Sequence, residues 1–115
     1  MTDERETISV LLLCWNHAAF LEQCIGALAA QTDIHFEICF LDNASTDGSL
    51  EQAKALFERF RLKARLYRNS RGVSIPANFN QLLAQSSGNI VAPLSTDDWY
   101  EPDYIARLRQ AAASR

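Results

Sequence analysis

The sequence predicts an α/β fold: an open, mostly parallel sheet with helices packed on both faces. Three observations lead there. Two near-continuous apolar runs, ISVLLLC at 8–14 and FEICFL at 36–41, have the pattern of strands buried on both sides. A segment with helical apolar spacing follows each run. The resulting order, βαβαβαβ with a terminal helix, implies parallel strands joined by right-handed crossovers.

The first strand is Ile8 to Cys14, and AFLEQCIGALAAQ after it places Phe20, Leu21, Cys24, Ile25 and Leu28 at helical spacing. The second strand, Phe36 to Leu41, is interrupted by DNASTDGS, a run of turn and helix-capping residues. Leu50, Ala53, Leu56, Phe57 and Phe60 then mark a helix over 50–60. Arg65 to Arg68 make a short third strand around Leu66 and Tyr67, and Gly72 in the loop NSRGVS is available for a positive φ. Pro76 suits the first turn of a third helix running to about Gln85, with Phe79, Leu82 and Leu83. Ser86-Ser87-Gly88 ends it. A fourth strand, Asn89 to Leu94, leads into STDDWYEPD, and Tyr104 to Ala113 reads as the last helix.

Composition narrows the class. At 115 residues the chain is one domain with enough length to bury a core, and 48% hydrophobic with 22% charged residues suits a soluble protein. The net charge of −3 provides no field that would draw the chain to nucleic acid or an anionic membrane. Arg59, Arg61, Lys63, Arg65, Arg68 and Arg71 do cluster. They read as a solvated helix end and strand, or alternatively as phosphate contacts or a partner-facing surface. Cys14, Cys24 and Cys39 lack any C-x-x-C spacing and read as small buried hydrophobes in a reducing compartment. The N-terminal MTDERETIS is unlike a signal peptide, and no apolar run approaches the ~20 residues of a membrane span. A cytoplasmic location is expected.

The polar clusters fall in a pattern. Trp15-Asn16-His17, Asp42-Asn43 and Asp97-Asp98 follow the first, second and fourth strands, hence all lie at carboxyl ends of parallel strands. In an open α/β sheet these ends border the ligand crevice. A G-x-G-x-x-G fingerprint is missing after the first strand, and no G-K-[ST] occurs anywhere. A bound diphosphate would therefore be held through Mg²⁺ or Mn²⁺, which takes one or two protein carboxylates. Asp97 and Asp98 supply that chemistry. Helix capping is the competing reading, because carboxylates before a helix satisfy its free N–H groups.

Taken together, these residues resemble the nucleotide-binding half of family 2 glycosyltransferases, whose GT-A fold is Rossmann-like. The family's first strand ends in a Pro-Thr-Tyr-Asn-like turn, here Leu13-Cys14-Trp15-Asn16. Its first helix ends in Ala-Gln-Thr, here Ala30-Gln31-Thr32, and its second strand in Asp-Asp-Gly-Ser-Thr-Asp-Gly, here Asp42 through Gly48. Asn69 and Gly72 match an Asn-x-x-Gly loop, and Asn80 matches an asparagine of the third helix. The resemblance runs from about Ile8 to Asp103.

The resemblance implies transfer of a sugar from a nucleotide-diphospho-sugar donor to a carbohydrate or lipid-linked acceptor, with inversion. It places Asp97 on the last carboxylate of the metal-binding Asp-x-Asp motif, with Asp98 in support. Ser95 and Thr96 occupy the other motif positions; they bring hydroxyls for a ribose or a metal-bound water, but no charge. Asp42 and Asn43 fall on the pair that contacts a pyrimidine base, which fits a UDP- or dTDP-linked donor. Trp15 would line the base pocket or simply cover the core rim, and Asn16 lies beside it. Arg71 is the basic candidate for the diphosphate, and His17 reads as a polar loop residue. The family's general base lies beyond the Asp-x-Asp strand, so no residue here is assigned that role, and the chain reads as a truncated donor-binding half. The alternative is a nucleotide-binding or structural module without chemistry of its own, which isolated activity would exclude. Self-association through an exposed apolar sheet edge is expected; a clean monomer by size exclusion at high concentration would refute it.

Overall fold

A computed structural model describes residues 6–114; residues 1–5 of the polar N-terminal stretch and Arg115 lie outside the described residues. The elements are β1 (Ile8–Cys14), α1 (Leu21–Ala29), β2 (Glu37–Asp42), α2 (Ser49–Arg59), β3 (Arg65–Arg68), α3 (Ile75–Gln85), β4 (Ile90–Ser95) and α4 (Tyr104–Ala113). A single 3-10 turn, Ala18–Phe20, precedes α1. All strand pairs are parallel, in the order β3-β2-β1-β4. The expected α/β architecture is the observed one.

Helices cover both faces, unequally. Even-numbered residues of the central strands, Val10, Leu12, Ile38 and Phe40, pack with α1, α2 and Ile105 of α4. Odd-numbered Leu11, Leu13, Cys39 and Leu41 pack on Leu82 and Phe79 of α3. β1 is buried throughout because both faces and both edges are occupied. β4 alternates instead: Ala92 and Leu94 are buried while Val91, Pro93 and Ser95 are exposed. The cause is that α3 lies over β1 and β2 rather than over β4. The three cysteines are buried free thiols, and burial pushes the Cys24 thiol up to about 12.

The outer edge of β4 is blunted. Ile90 and Thr96 donate their N–H groups inward to Thr7 and Leu13, so the alternate residue Pro93 faces outward. Proline has no N–H to offer a new strand, and the Tyr100 hydroxyl donates to the Pro93 carbonyl at 2.8 Å.

Polar contacts lock the amino end of the sheet. The Glu37 carboxylate accepts from the Ser9 hydroxyl, the Ser87 N–H and Arg65 Nη2. Burial pushes its pKa up, but these donors outweigh that and hold it below the ordinary 4.5. A depressed carboxylate contributes stability above its unfolded pKa and loses it as pH falls through the folded value. Glu37→Gln should therefore flatten the fall in melting temperature below about pH 4.5. A pH-melting series measures this, and an unchanged acid limb would remove Glu37 from the account. The neighbouring Arg109 joins α4 to this end, donating to Asp33 Oδ2 at 2.7 Å and to the His35 carbonyl at 2.6 Å.

Gln31, almost fully buried, docks the start of α4. Its Oε1 accepts the Ile105 N–H at 3.0 Å, and its Nε2 donates to the Glu101 carbonyl at 2.7 Å. The capping role open to the acidic residues before α4 is thus filled from the end of α1, and Asp103 makes no cap bond. Gln31→Leu strands the buried Ile105 N–H, while the Glu101 carbonyl keeps the Tyr104 N–H, and should cost about 1–3 kcal/mol in denaturant titration. Asp103→Ala should stay within about 0.5 kcal/mol. Equal effects of the two would contradict this assignment.

Candidate functional site

β1 is followed in the sheet by β2 on one side and by β4 on the other. The carboxyl ends of β1 and β4 therefore flank the topological switch point, where open α/β sheets bind ligands. Two loops are stitched together there. Asn16 adopts a left-handed φ of 53°, its N–H donates to Ser45 Oγ at 2.8 Å, and its Oδ1 accepts the Thr46 N–H at 2.8 Å. Asp47 accepts from the Ala18 N–H at 3.0 Å and from both N–H and hydroxyl of Ser49, so it ties the first loop to the start of α2. Ala44, with φ 59°, holds the second loop's turn at a conformation that non-glycine residues rarely adopt. These bonds fix the crevice wall before any ligand arrives.

Asp42 is the last residue of β2 and is fully buried. Its Oδ2 accepts the Ser45 N–H at 2.9 Å and lies 3.9 Å from Arg68 Nε. Its Oδ1 is buried with no hydrogen-bond partner. An orphaned carboxylate oxygen is costly and marks a place where a ligand donor would be welcome.

Asn43 sits in an asparagine network. Its Oδ1 accepts from Asn69 Nδ2 at 3.0 Å and from the Val73 N–H at 2.9 Å, while its Nδ2 donates to the Val73 carbonyl at 3.0 Å. In this geometry both lone pairs of Asn43 Oδ1 are taken and one amide N–H is left to donate. Asn78 completes the network: fully buried in α3, it accepts from Asn69 at 2.7 Å and donates to the Ser74 carbonyl at 3.0 Å. The helix asparagine matched on sequence, Asn80, is exposed. The N-x-x-G loop was the available signal for Asn69; nothing in the sequence distinguished Asn78 from Asn80.

Across the switch point stands Thr96, fully buried, with Oγ1 3.3 Å from the Leu13 carbonyl and 2.9 Å from His17 Nδ1. His17 Nε2 faces Asp97 Oδ2 at 3.8 Å, and the Asp97 side chain is 51% exposed. Asp98 does not join them: its Oδ1 accepts the N–H of Trp99 at 2.8 Å and closes its own turn. Among the described residues no group of three or more His, Cys, Asp or Glu converges as a metal cage. Trp15 is 58% exposed at the end of β1, and Trp99 is also exposed. Arg71 is exposed, whereas much of the basic cluster is paired: Arg59 with Glu22, Arg65 with Glu37, Arg68 with Glu51 and Asp42. His17, read from the sequence as a polar loop residue, lies between Thr96 and Asp97 at this edge.

A family model described as "Glycosyl transferase family 2" matches residues 9–114. The chain belongs to glycosyl transferase family 2. Among curated relatives, glycosyltransferase GlyA of Streptococcus pneumoniae is 32% identical over 90% of this chain and 14% of its own length. Hyaluronan synthase of Pasteurella multocida is 26% identical over 85% of this chain and 10% of its own length. The chain therefore spans a small part of these family 2 relatives. Two solved structures share the fold over 93% of the chain. TarS from S. aureus in complex with UDP-GlcNAc has a TM-score of 0.79 at 24% identity, covering 30% of that chain. The mannosyltransferase PcManGT from Pyrobaculum calidifontis, in complex with GDP-Man and Mn²⁺, has a TM-score of 0.82 at 21% identity, covering 32%. No helix among the described residues is long and apolar enough to cross a membrane.

Proposed function

We propose that this chain binds the nucleotide diphosphate of a sugar donor at its carboxyl edge, as the donor site of a glycosyltransferase. Family membership supports the class, and the names of the relatives favour a carbohydrate acceptor. The observation that carries the pyrimidine reading is the unpaired Asp42 Oδ1. The N3–H of uracil or thymine would supply its missing partner, and the remaining Asn43 amide N–H would serve a ring carbonyl. That oxygen is shut from water in the free chain, so engaging it requires the side chains over it to move. Trp15 offers an exposed aromatic face beside this wall. Arg71, exposed on the 69–74 loop, is the mobile cation for the diphosphate.

A divalent cation shared with a diphosphate needs only one or two protein carboxylates, and half-exposed Asp97 meets that minimum. When bound there with the donor, Mg²⁺ or Mn²⁺ would offset charge on the departing diphosphate. Thr96 has no free role toward it, since its hydroxyl is committed to Leu13 and His17. Transfer would proceed with inversion, an acceptor hydroxyl attacking from the face opposite the diphosphate. No residue of this edge is assigned as the base that takes its proton. Three buried thiols suit a cytoplasmic setting.

Calorimetry with UDP, dTDP and GDP, each with Mn²⁺ and with EDTA, tests the reading. UDP and dTDP should bind at least about tenfold more tightly than GDP, a difference of about 1.4 kcal/mol. Absence of binding by either pyrimidine diphosphate under both conditions would overturn it.

A further inference from the structure

We propose that His17 and Asp97 together form the seat for the metal ion, with His17 Nε2 as a ligand in its own right. The inference deepens the donor-site reading, on which it rests for the identity of the diphosphate alone.

The hydrogen bonding of Thr96 sets up the imidazole. A threonine hydroxyl has one proton, and Oγ1 lies 3.3 Å from the Leu13 carbonyl and 2.9 Å from His17 Nδ1. With that proton directed to Leu13, the oxygen accepts from Nδ1–H. In the neutral ring that bond leaves the lone pair on Nε2. A second hydrogen-bond partner that fixes the tautomer in this way is the usual support of a metal-binding histidine. The ring is also packed edge-on against Phe20, with centroids 6.1 Å apart, and its side chain is only 19% exposed.

Nε2 stands 3.8 Å from Asp97 Oδ2. That is too far for a hydrogen bond, so the two donors do not satisfy one another. Two donors on one ion, each at about 2.0–2.2 Å, lie roughly 3–4 Å apart. The separation therefore suits an ion between them. A fixed nitrogen and an adjustable, half-exposed carboxylate can close on it, leaving its other positions to water and diphosphate oxygens. Among the described residues no third His, Cys, Asp or Glu converges on this pair, and Asp98 Oδ1 accepts the Trp99 N–H instead. His17 thus brings a nitrogen donor, though no charge, where Ser95 and Thr96 offer only hydroxyls. An imidazole ligand favours Mn²⁺, Co²⁺ or Zn²⁺ over Mg²⁺.

The test is a Mn²⁺ titration of the chain followed by NMR of its two imidazoles, His17 and His35. His35 precedes β2 at the opposite end of the sheet and serves as the internal control. The His17 ring signals should broaden well before those of His35, and equimolar Mg²⁺ should not reverse this. Asp97→Asn, on an exposed turn, should remove the selectivity, and Thr96→Val should weaken it by about 10–100-fold. Equal broadening of both rings, or undiminished His17 broadening in Asp97→Asn, would overturn the proposal. UDP binding in EDTA reads the donor site separately. A chain that broadens at His17 but binds no pyrimidine diphosphate keeps this seat and loses the donor reading, and the converse result does the opposite.

Discussion

Asp97→Ala should lower the Mn²⁺-dependent affinity for UDP by about 100-fold or more, about 2.7 kcal/mol, while leaving the melting temperature within about 2 °C. The two halves of this expectation have separate causes. Asp97 is half exposed, and its one ion-pair contact, to His17, is a long 3.8 Å, so little of the fold depends on it. On the donor-site reading binding should depend on it heavily: Asp98 Oδ1 accepts the Trp99 N–H, and Ser95 and Thr96 carry no charge. Removing that carboxylate would take away the charged partner of the ion and leave the His17 nitrogen alone to hold it. Calorimetry with Mn²⁺ and with EDTA, alongside a thermal melt, separates the two halves. Affinity that is unchanged in Mn²⁺ would reduce the motif to a turn.

Gly88→Ala should destabilise the chain by about 2–4 kcal/mol, from overpacking and lost hydrogen bonds together. For a domain of this size that lowers the melting temperature by roughly 8–16 °C. A Cβ at Gly88 would stand 2.5 Å from Ser9 Oγ, 2.8 Å from Ser9 N and 2.9 Å from the Thr7 carbonyl. Two of these atoms are backbone of β1 or its lead-in and cannot swing aside. The displaced segment also carries the Gly88 N–H bond to Ser9 Oγ at 2.8 Å and the Ser87 bond to Glu37. The double variant Ser9→Ala with Gly88→Ala should recover only part of the loss, since the backbone contacts remain. A single variant that melts within about 2 °C of the parent would show that the strand entry yields freely.

Much of the architecture was legible because it rests on local pattern. The runs at 8–14 and 36–41 are apolar at every position but Ser9 and Glu37 since both faces of β1 and β2 are covered, and the helices announce themselves by spacing. Boundaries moved by a residue or so, with one consequence: Asp42 ends β2 rather than opening a loop, which explains its burial. The contacts that the sequence did not announce act across long separations. His17 meets Thr96 from 79 positions away, a contact that exists only because β4 lies beside β1. Gln31 was noted as part of a matched triplet, yet its partners Glu101 and Ile105 sit some 70 positions on. Asn78 and Asn80 share a helix and a residue type, and only the turn of the helix under the 69–74 loop separates their environments.

The order β3-β2-β1-β4 also sets a sequence of events in folding. β1, α1, β2, α2 and β3 meet neighbours close in the chain, so this unit can form early. β4 has to return across the sheet to a strand about 80 positions behind it, as the Thr7–Asn89 bonds at a separation of 82 record. Closing so long a loop is slow, and it yields no contact until α3 has been laid down. On a ribosome, β1 would wait with one edge unpaired while some 75 further residues are made. The Asp42–Asn43 side of the crevice would be complete in that interval, and the Asp97 side would be the last part to arrive.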